Sequence, residues 1–467
     1  MNLTGKKVTF HRKGPTYFHP ARILFLLGLI FGLVFLARAF DMGVIHRPFD
    51  PTPTPTRTNQ SFILEAETHF QSGNLPAAIN AYQQEVGLNP RDASLYAEMA
   101  RIQVYSSASL STDEQKRNRL QEALKAINTA AELAPEDSNV HAIKAFVLEW
   151  NSNPVVSGDD SENLLTQAEQ EAVRALQLDS TNTMALAYYA EVLIDAQKYT
   201  QAEQYIEQAL ARDSGLMDVH RVRGQLWEIN GNYLKAIEEY KRATEIMPNL
   251  TFIYIYIGLN YRVLAAGDPV SPYYIDSLDY FEKAANINAT LGINDPIPYL
   301  AIAKDYVQMG EAFVAARNGQ KALEMDPTNP DVYGQLGIIY FMGKNYEGSI
   351  PALKCAIRGC TPVESCEARQ CDPEVDPQIS IEGMPLSNST VVYYYTYGSV
   401  LAGLSRVQQN YCSEAFTVFR EIRAVYAGDK DIMSIVQEGE RVCEFLDNPT
   451  VPTMVTFTPS PSFTPTP

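Results

Sequence analysis

From Thr183 to Pro248 the apolar positions fall with a helical rhythm, and that rhythm repeats. Ala190, Gly224 and Gly258 succeed one another at intervals of 34 residues, and the same interval separates Tyr199 from Tyr233, Ala202 from Ala236 and Ala209 from Ala243. Each block predicts two amphipathic helices, with small residues where helices approach closely and bulky apolar ones filling the gap between them. One such hairpin leaves an apolar face uncovered, so the blocks must stack.

His220, Gly224, Trp227, Ala236, Tyr240, Ala243 and Pro248 occupy, in order, the large, small, aromatic and proline positions of one block. On these residues the segment resembles the tetratricopeptide repeat family. The resemblance implies an all-α, superhelical solenoid that binds rather than catalyses. The template can be laid down nine times. Repeats 1 to 8 fill 60–360: copies at about 60–90, 93–135 and 138–180, the regular pair over Thr183–Pro248, then 251–289, 296–327 and 330–360. After a Cys-rich insertion at 361–390, repeat 9 and a capping helix (about Asp431–Leu446) fill 391–446. Ala78 and Ala123 stand 45 residues apart, so 11 extra residues are expected between the two helices of repeat 2. Repeat 3 has the same excess in a polar stretch from Asn151 to Glu162, and repeat 6 is interrupted by Gly267-Asp268-Pro269.

Upstream, residues 21–40 (Ala21 to Phe40) are almost wholly apolar, and twenty helical residues reach the roughly 30 Å of a hydrocarbon core. The leader, residues 1–20, is basic. A single transmembrane signal-anchor helix is therefore expected, with a cytoplasmic N-terminus and extracytoplasmic repeats in a bacterial-type cell envelope. A cleaved signal peptide is the rival, since Ala37-Arg38-Ala39 fits a small-x-small site; both readings export the repeats. Gly28 and Gly32 form a G-x-x-x-G pair suited to a dimer of such helices. Residues 41–59 form a Pro/Thr-rich linker and 447–467 a Pro/Thr-rich disordered tail.

The net charge is −18. Residues 1–40 hold six basic and no acidic residues, leaving the remainder at −24, and an acidic main body argues against nucleic acid as a partner. All six cysteines, Cys355, Cys360, Cys366, Cys371, Cys412 and Cys443, lie in the last quarter. An even count in an exported segment predicts disulfides. The expected pattern has bridges within 355–371 stapling the insertion to repeat 8 and Cys412 with Cys443 tying down the last helix, with free thiols or zinc as the alternatives. No C-x-x-C, H-E-x-x-H, G-x-S-x-G, P-loop or G-x-G-x-x-G occurs, so no catalytic residue, metal site or cofactor is expected, and the chain is read as a non-enzyme. Asp159, Asp160 and Glu162 are read as a solvated loop.

In the family that the segment resembles, helix A lines a concave groove. Carried over here, those positions are Phe252, Ile255, Leu259 and Arg262 in repeat 6, Leu300 and Lys304 in repeat 7, Gly334, Ile338 and Phe341 in repeat 8, and Tyr395 and Ser399 in repeat 9. They present a largely apolar trough suited to an extended or helical segment of a protein partner. Earlier equivalents are more polar: Glu67, Arg101, Glu191, Asp195, Asp218, Arg221 and Gln225. The alternatives are that neighbouring helices or the insertion bury the trough, leaving a structural spacer, or that the array is a regulatory subunit of an envelope complex.

Overall fold

The computed structural model describes residues 20–41, 59–372 and 374–447. The expectations for the basic leader, the Pro/Thr linker and the Pro/Thr tail lie outside these. Two bodies result, divided at Thr58. The first contains α1 (Pro20–Asp41), whose stretch Pro20–Ala39 has a mean hydropathy of 2.3. That is length and composition enough for a membrane span or a signal sequence.

The second body is a stack of helical hairpins. Repeat 1 pairs α2 (Asn59–Gln71) with α3 (Leu75–Leu88), and repeat 2 pairs α4 (Ala93–Ser107) with α5 (Asp113–Leu133). In repeat 3, α6 (Ser138–Asn151) is followed by the one-turn α7 (Pro154–Ser157) and then α8 (Ser161–Leu178). Repeats 4 and 5 are α9 (Thr183–Asp195) with α10 (Tyr199–Arg212) and α11 (Met217–Ile229) with α12 (Tyr233–Ile246). Repeat 6 is α13 (Thr251–Ala265) with α14 (Tyr273–Leu291), repeat 7 is α15 (Ile297–Gln308) with α16 (Ala312–Met325), and repeat 8 is α17 (Pro330–Met342) with α18 (Tyr346–Arg358). The insertion contributes α19 (Pro362–Arg369). Repeat 9 is α20 (Val391–Leu404) with α21 (Cys412–Tyr426), closed by α22 (Lys430–Asp447). Among the described residues no strand forms, only isolated bridges such as Cys360 with Ile381.

The same chemistry recurs at the same place in successive repeats. Asp92, Asp137, Asn182 and Asn329 cap helix A by accepting from its first free N–H groups, and Asn74, Asn232 and Asn345 cap helix B. The turn between the two helices passes through a left-handed residue: Gly73, Gln197, Gly231, Gly310 or Lys344. Near the start of helix A a polar-tipped ring reaches back six residues to a carbonyl. Tyr254 and Tyr333 donate to Pro248 and Pro327 at 2.9 and 3.0 Å, while His141 and His220 meet the carbonyls of Pro135 and Ser214 at 2.9 and 3.0 Å. These two histidines are therefore joints between repeats. Gly224 is small because a Cβ there would lie 2.7 Å from the Tyr240 ring.

Two expectations are corrected in detail. The extra residues of repeat 2 do not make a loop; they lengthen the helices, α5 running for 21 residues from a capping box of Thr112 and Gln115. The run from Asp113 to Leu133 contains no Gly or Pro to stop it. The polar stretch of repeat 3 is α7 plus a 3-10 turn, Gly158–Asp160, pinned where Arg117 of α5 donates to the carbonyls of Val156 and Val155 at 2.9 and 3.1 Å.

The cysteines pair as Cys355 with Cys360, Cys366 with Cys371 and Cys412 with Cys443, at Cα separations of 4.8, 5.0 and 5.5 Å. The insertion is also tied by backbone bonds of 2.9 Å in both directions between Cys360 and Ile381, and by Met384 N donating to Ala356 O at 2.8 Å. Its helix α19 rests on α18 and α16, which are B helices, with Gln320 donating to the Ala368 carbonyl at 3.2 Å. Its contact with the A helix of repeat 8 is made through side chains such as Gln370, which donates to the Tyr340 hydroxyl at 3.1 Å.

The superhelix is tight enough to touch itself. The repeat 1 turn meets the junction of repeats 5 and 6, where a Cβ on Gly73 would stand 2.7 Å from the Asn249 carbonyl carbon. Further along, Asn329 donates to Ser111 at 2.7 Å, and Ser389 bonds Asp113.

Candidate binding surfaces on the inner face

The inward positions of helix A behave differently in the two halves of the array. In repeats 1 to 6 they converge on a buried centre, around which Trp150, Asp195, Glu228 and Tyr256 keep accessible surface. Asp218 sits at the centre, fully buried, accepting from Tyr105 at 2.7 Å, from Tyr188 at 3.2 Å and from Arg221 Nε at 3.0 Å. Arg221 grips Glu191 with both terminal nitrogens, at 2.6 and 2.7 Å. Burial opposes the Arg221 charge, but Glu191 and then Asp218 more than offset it, so the guanidinium is held well above its ordinary value. The same contest, with Glu98 as the leading counter-charge, fixes Arg101, whose guanidinium lies over the Phe70 ring at 5.2 Å. Around this network Phe146 stacks on Tyr188 at 4.4 Å and Tyr105 on Phe252 at 5.6 Å, joining repeat 2 directly to repeat 6.

Three residues expected on the groove surface therefore serve packing instead. Phe252 is buried in the centre of repeats 1 to 6 by its contact with Tyr105, and Leu300 is buried in the core of repeats 7 to 9. Gly334 is a packing contact, where a Cβ would stand 2.7 Å from the Tyr393 ring, and that ring's hydroxyl donates to Asp331 at 2.7 Å.

The remaining eight line a partly open surface. Leu259 and Lys304 are exposed, and Ile255, Arg262, Ile338, Phe341, Tyr395 and Ser399 are half-buried. Arg262 donates to Asp305 at 2.5 Å and to the Ala301 carbonyl at 2.7 Å, lashing repeat 6 to repeat 7. The Lys304 side chain meets water but is enclosed by the surrounding repeats. That enclosure, and then Arg262, push its ammonium down to about 8 against the pull of Asp331. Asp331, held by Tyr393 and by Gln335 at 2.6 Å, is raised by burial.

Beside this surface the helix starts at Thr112, Asn329 and Thr390 border a polar cavity of about 700 Å³, with Asp113, Glu114 and Glu382 in its wall. Among the described residues no cluster of His, Cys, Asp or Glu is arranged to hold a metal ion.

Two profiles of the tetratricopeptide repeat family match the chain, over residues 189–250 and 319–350. The chain carries tetratricopeptide repeats over these residues. Its array is similar to human IFIT1, an antiviral innate immune response effector, with 26% identity over 168 residues, 33% of this chain and 34% of that protein. The chain thus spans about a third of the length of the curated relative it matches. A solved structure of a human IFIT1 dimer with m7Gppp-AAAA superposes with a TM-score of 0.51 at 16% identity, covering 82% of this chain and 81% of that one. A thermophilic tetratricopeptide-repeat protein of Thermus thermophilus matches 44% of this chain and 98% of its own at 16% identity, with a TM-score of 0.36. At these identities the shared feature is the fold.

The repeat pattern located the inward positions of the tetratricopeptide-repeat array but not which of them meet across its axis. Arg101, Glu191, Asp218 and Arg221 were legible as polar inner positions; their sealing against one another depends on superhelical curvature, which no single repeat encodes. Tyr105 and Tyr188 carried no sequence signal beyond being aromatic residues in an A helix.

Proposed function

We propose that the protein is a membrane-anchored, extracytoplasmic scaffold whose inner surface in repeats 6 to 9 captures an extended or helical segment of a protein partner. The observation that carries this reading is the contrast between halves. The centre of the inner face in repeats 1 to 6 is filled by the buried Tyr105, Tyr188, Asp218 and Arg221, whereas Ile255, Leu259, Lys304, Ile338 and Tyr395 keep accessible surface, with α19 packed mainly on B helices. A part-apolar surface with one free-standing ammonium suits a segment carrying apolar anchors and a carboxylate. The apolar helix α1 supports anchoring, and six cysteines paired at disulfide distance support an oxidising compartment. A Cβ added at Gly28 or Gly32 would have nothing within 4 Å of it, leaving a small-residue face for a second α1.

Although IFIT1 is seen with m7Gppp-AAAA, nucleic acid is a poor fit for a body whose acidic residues outnumber its basic ones so heavily. The test is retention of partners by the detergent-solubilised full chain and by Ile255→Asp, Ile338→Asp and Tyr395→Asp variants. Each charge is expected to weaken capture at least tenfold with the array still folded. Undiminished capture by all three removes the groove. Protease accessibility of the repeats in intact cells and after permeabilisation tests the topology independently.

A further inference from the structure

Between the sealed network and the open surface lies a group of acids that the network does not neutralise. Arg221 is committed to Glu191 and Asp218, and Arg101 to Glu98 and Asp218. Glu149, Asp195 and Glu228, on the inward faces of α6, α9 and α11, have no cationic partner within ion-pair distance among the described residues. Glu228 is fixed in place by donors, Tyr240 at 2.9 Å and Asn260 at 3.0 Å. Glu149 is buried, its raised carboxyl hydrogen-bonds to that of Asp195, and its Oε2 has no other partner. Asn260, 1% exposed, likewise holds its Oδ1 without a donor. Two aromatic side chains, both partly open to water, border these acids. The Trp150 indole is held by a 3.3 Å bond to Glu191, and Tyr256 packs edge-on to Phe252 at 5.7 Å and against Tyr240 at 5.6 Å.

We propose that the inner face of repeats 3 to 6 binds an alkylammonium ligand, with Asp195 and Glu228 as counter-charges, Glu149 and Asn260 as acceptors behind them, and Trp150 and Tyr256 as aromatic walls. Buried acceptors without donors are costly, so a ligand that brings N–H groups gains by satisfying them. An ammonium is also attracted to the faces of Trp and Tyr. The carboxyls are spread over three helices and are not gathered as a metal ion requires, which selects a cation whose charge is distributed along a flexible chain. Burial and the neighbouring Glu191 and Asp195 raise Glu149, in keeping with a site short of positive charge. A free polyamine and the lysine side chains of a bound protein both present this chemistry.

The test uses the full chain in detergent with Trp227→Phe, which leaves Trp150 as the one indole, since the chain has two tryptophans. Spermidine and a blocked Lys-Gly-Lys peptide are titrated at fixed ionic strength, followed by calorimetry and by Trp150 emission. Saturable binding with a change in emission is expected. Asp195→Asn and Glu228→Gln should each weaken it at least tenfold, and an Asp159→Asn/Asp160→Asn double variant, altered only at exposed acids, should leave it unchanged. Tighter spermidine binding assigns the site to a free polyamine, and tighter peptide binding assigns it to a protein's lysines. Asp195 is solvent-exposed, and the carbonyl of an asparagine can still accept the bond from Glu149, so an unchanged melting profile is expected to accompany the loss of binding. No saturable titration with either probe, or equal loss in the inner and outer variants, overturns the proposal.

Discussion

Gly73 and Gly310 occupy the same turn in repeats 1 and 7 and share the same φ of +80°, yet their surroundings differ. At Gly310 nothing lies within 4 Å of an added Cβ; at Gly73 that carbon would stand 2.7 Å from the carbonyl carbon of Asn249 and 2.9 Å from its Cβ. Substituting alanine for either residue imposes the left-handed strain of an L side chain, about 1 kcal/mol. Gly73→Ala must in addition push the first turn off the junction of repeats 5 and 6, because the atoms it meets are mostly backbone. Overpacking of that kind costs about 1–3 kcal/mol. The predicted totals are therefore about 1 kcal/mol for Gly310→Ala and about 2–4 kcal/mol for Gly73→Ala. Hydrogen exchange read by mass spectrometry on the detergent-solubilised protein separates them. Gly73→Ala should accelerate exchange in α2, α3 and the start of α13 together, while Gly310→Ala should act only around its own turn. Equal effects from the two substitutions, or loss confined to repeat 1, would refute the contact between distant repeats.

The other predictions concern single parts of the array. Arg221→Met leaves Asp218 and Glu191 buried without their principal cation and should cost about 3–5 kcal/mol in urea unfolding, far more than the same change at an exposed arginine. Asp295, 7% exposed, is raised by burial to about 6 despite bonds from Ile297 N and Asn288. Because its folded value exceeds the unfolded one, its contribution is fully present below about pH 4 and is lost as pH rises through 6. That loss is about 3 kcal/mol. Asp295→Asn should flatten this part of the melting-temperature profile, and an unaltered slope between pH 4 and 6 would count against the burial argument. Cys443→Ser opens a bridge that spans 31 residues, and chain entropy puts its worth at about 3–4 kcal/mol. The effect should appear as faster exchange in α22 with repeats 1 to 6 unchanged.

The hairpins were legible because each depends on neighbours in sequence. Ala202, Ala209, Ala236 and Ala243 recur wherever two helices must touch, and Pro248 and Pro327 mark the ends of repeats. The cysteine pairing was legible in outline for the same reason, since two of the three bridges close only five residues. Closure of the superhelix was not. The contact of Gly73 with Asn249 and that of Asn329 with Ser111 join residues 176 and 218 positions apart, and they arise from small rotations accumulated over several repeats. The filled centre of the inner face was hidden by the same distance. Helix lengthening in repeat 2 was readable, since Thr112 and Gln115 form a capping box ahead of a long run of good helix formers; the repeat template obscured it.

An open solenoid yields to tension like a spring, each coil parting a little from the next. Here the first coil is fastened to its own far end, so a pull arriving through residue 59 meets a latched ring that cannot lengthen until the turn at Gly73 slips free. The C-terminal coils share in that restraint, since Asn329 and Ser389 reach back to Ser111 and Asp113 of repeat 2.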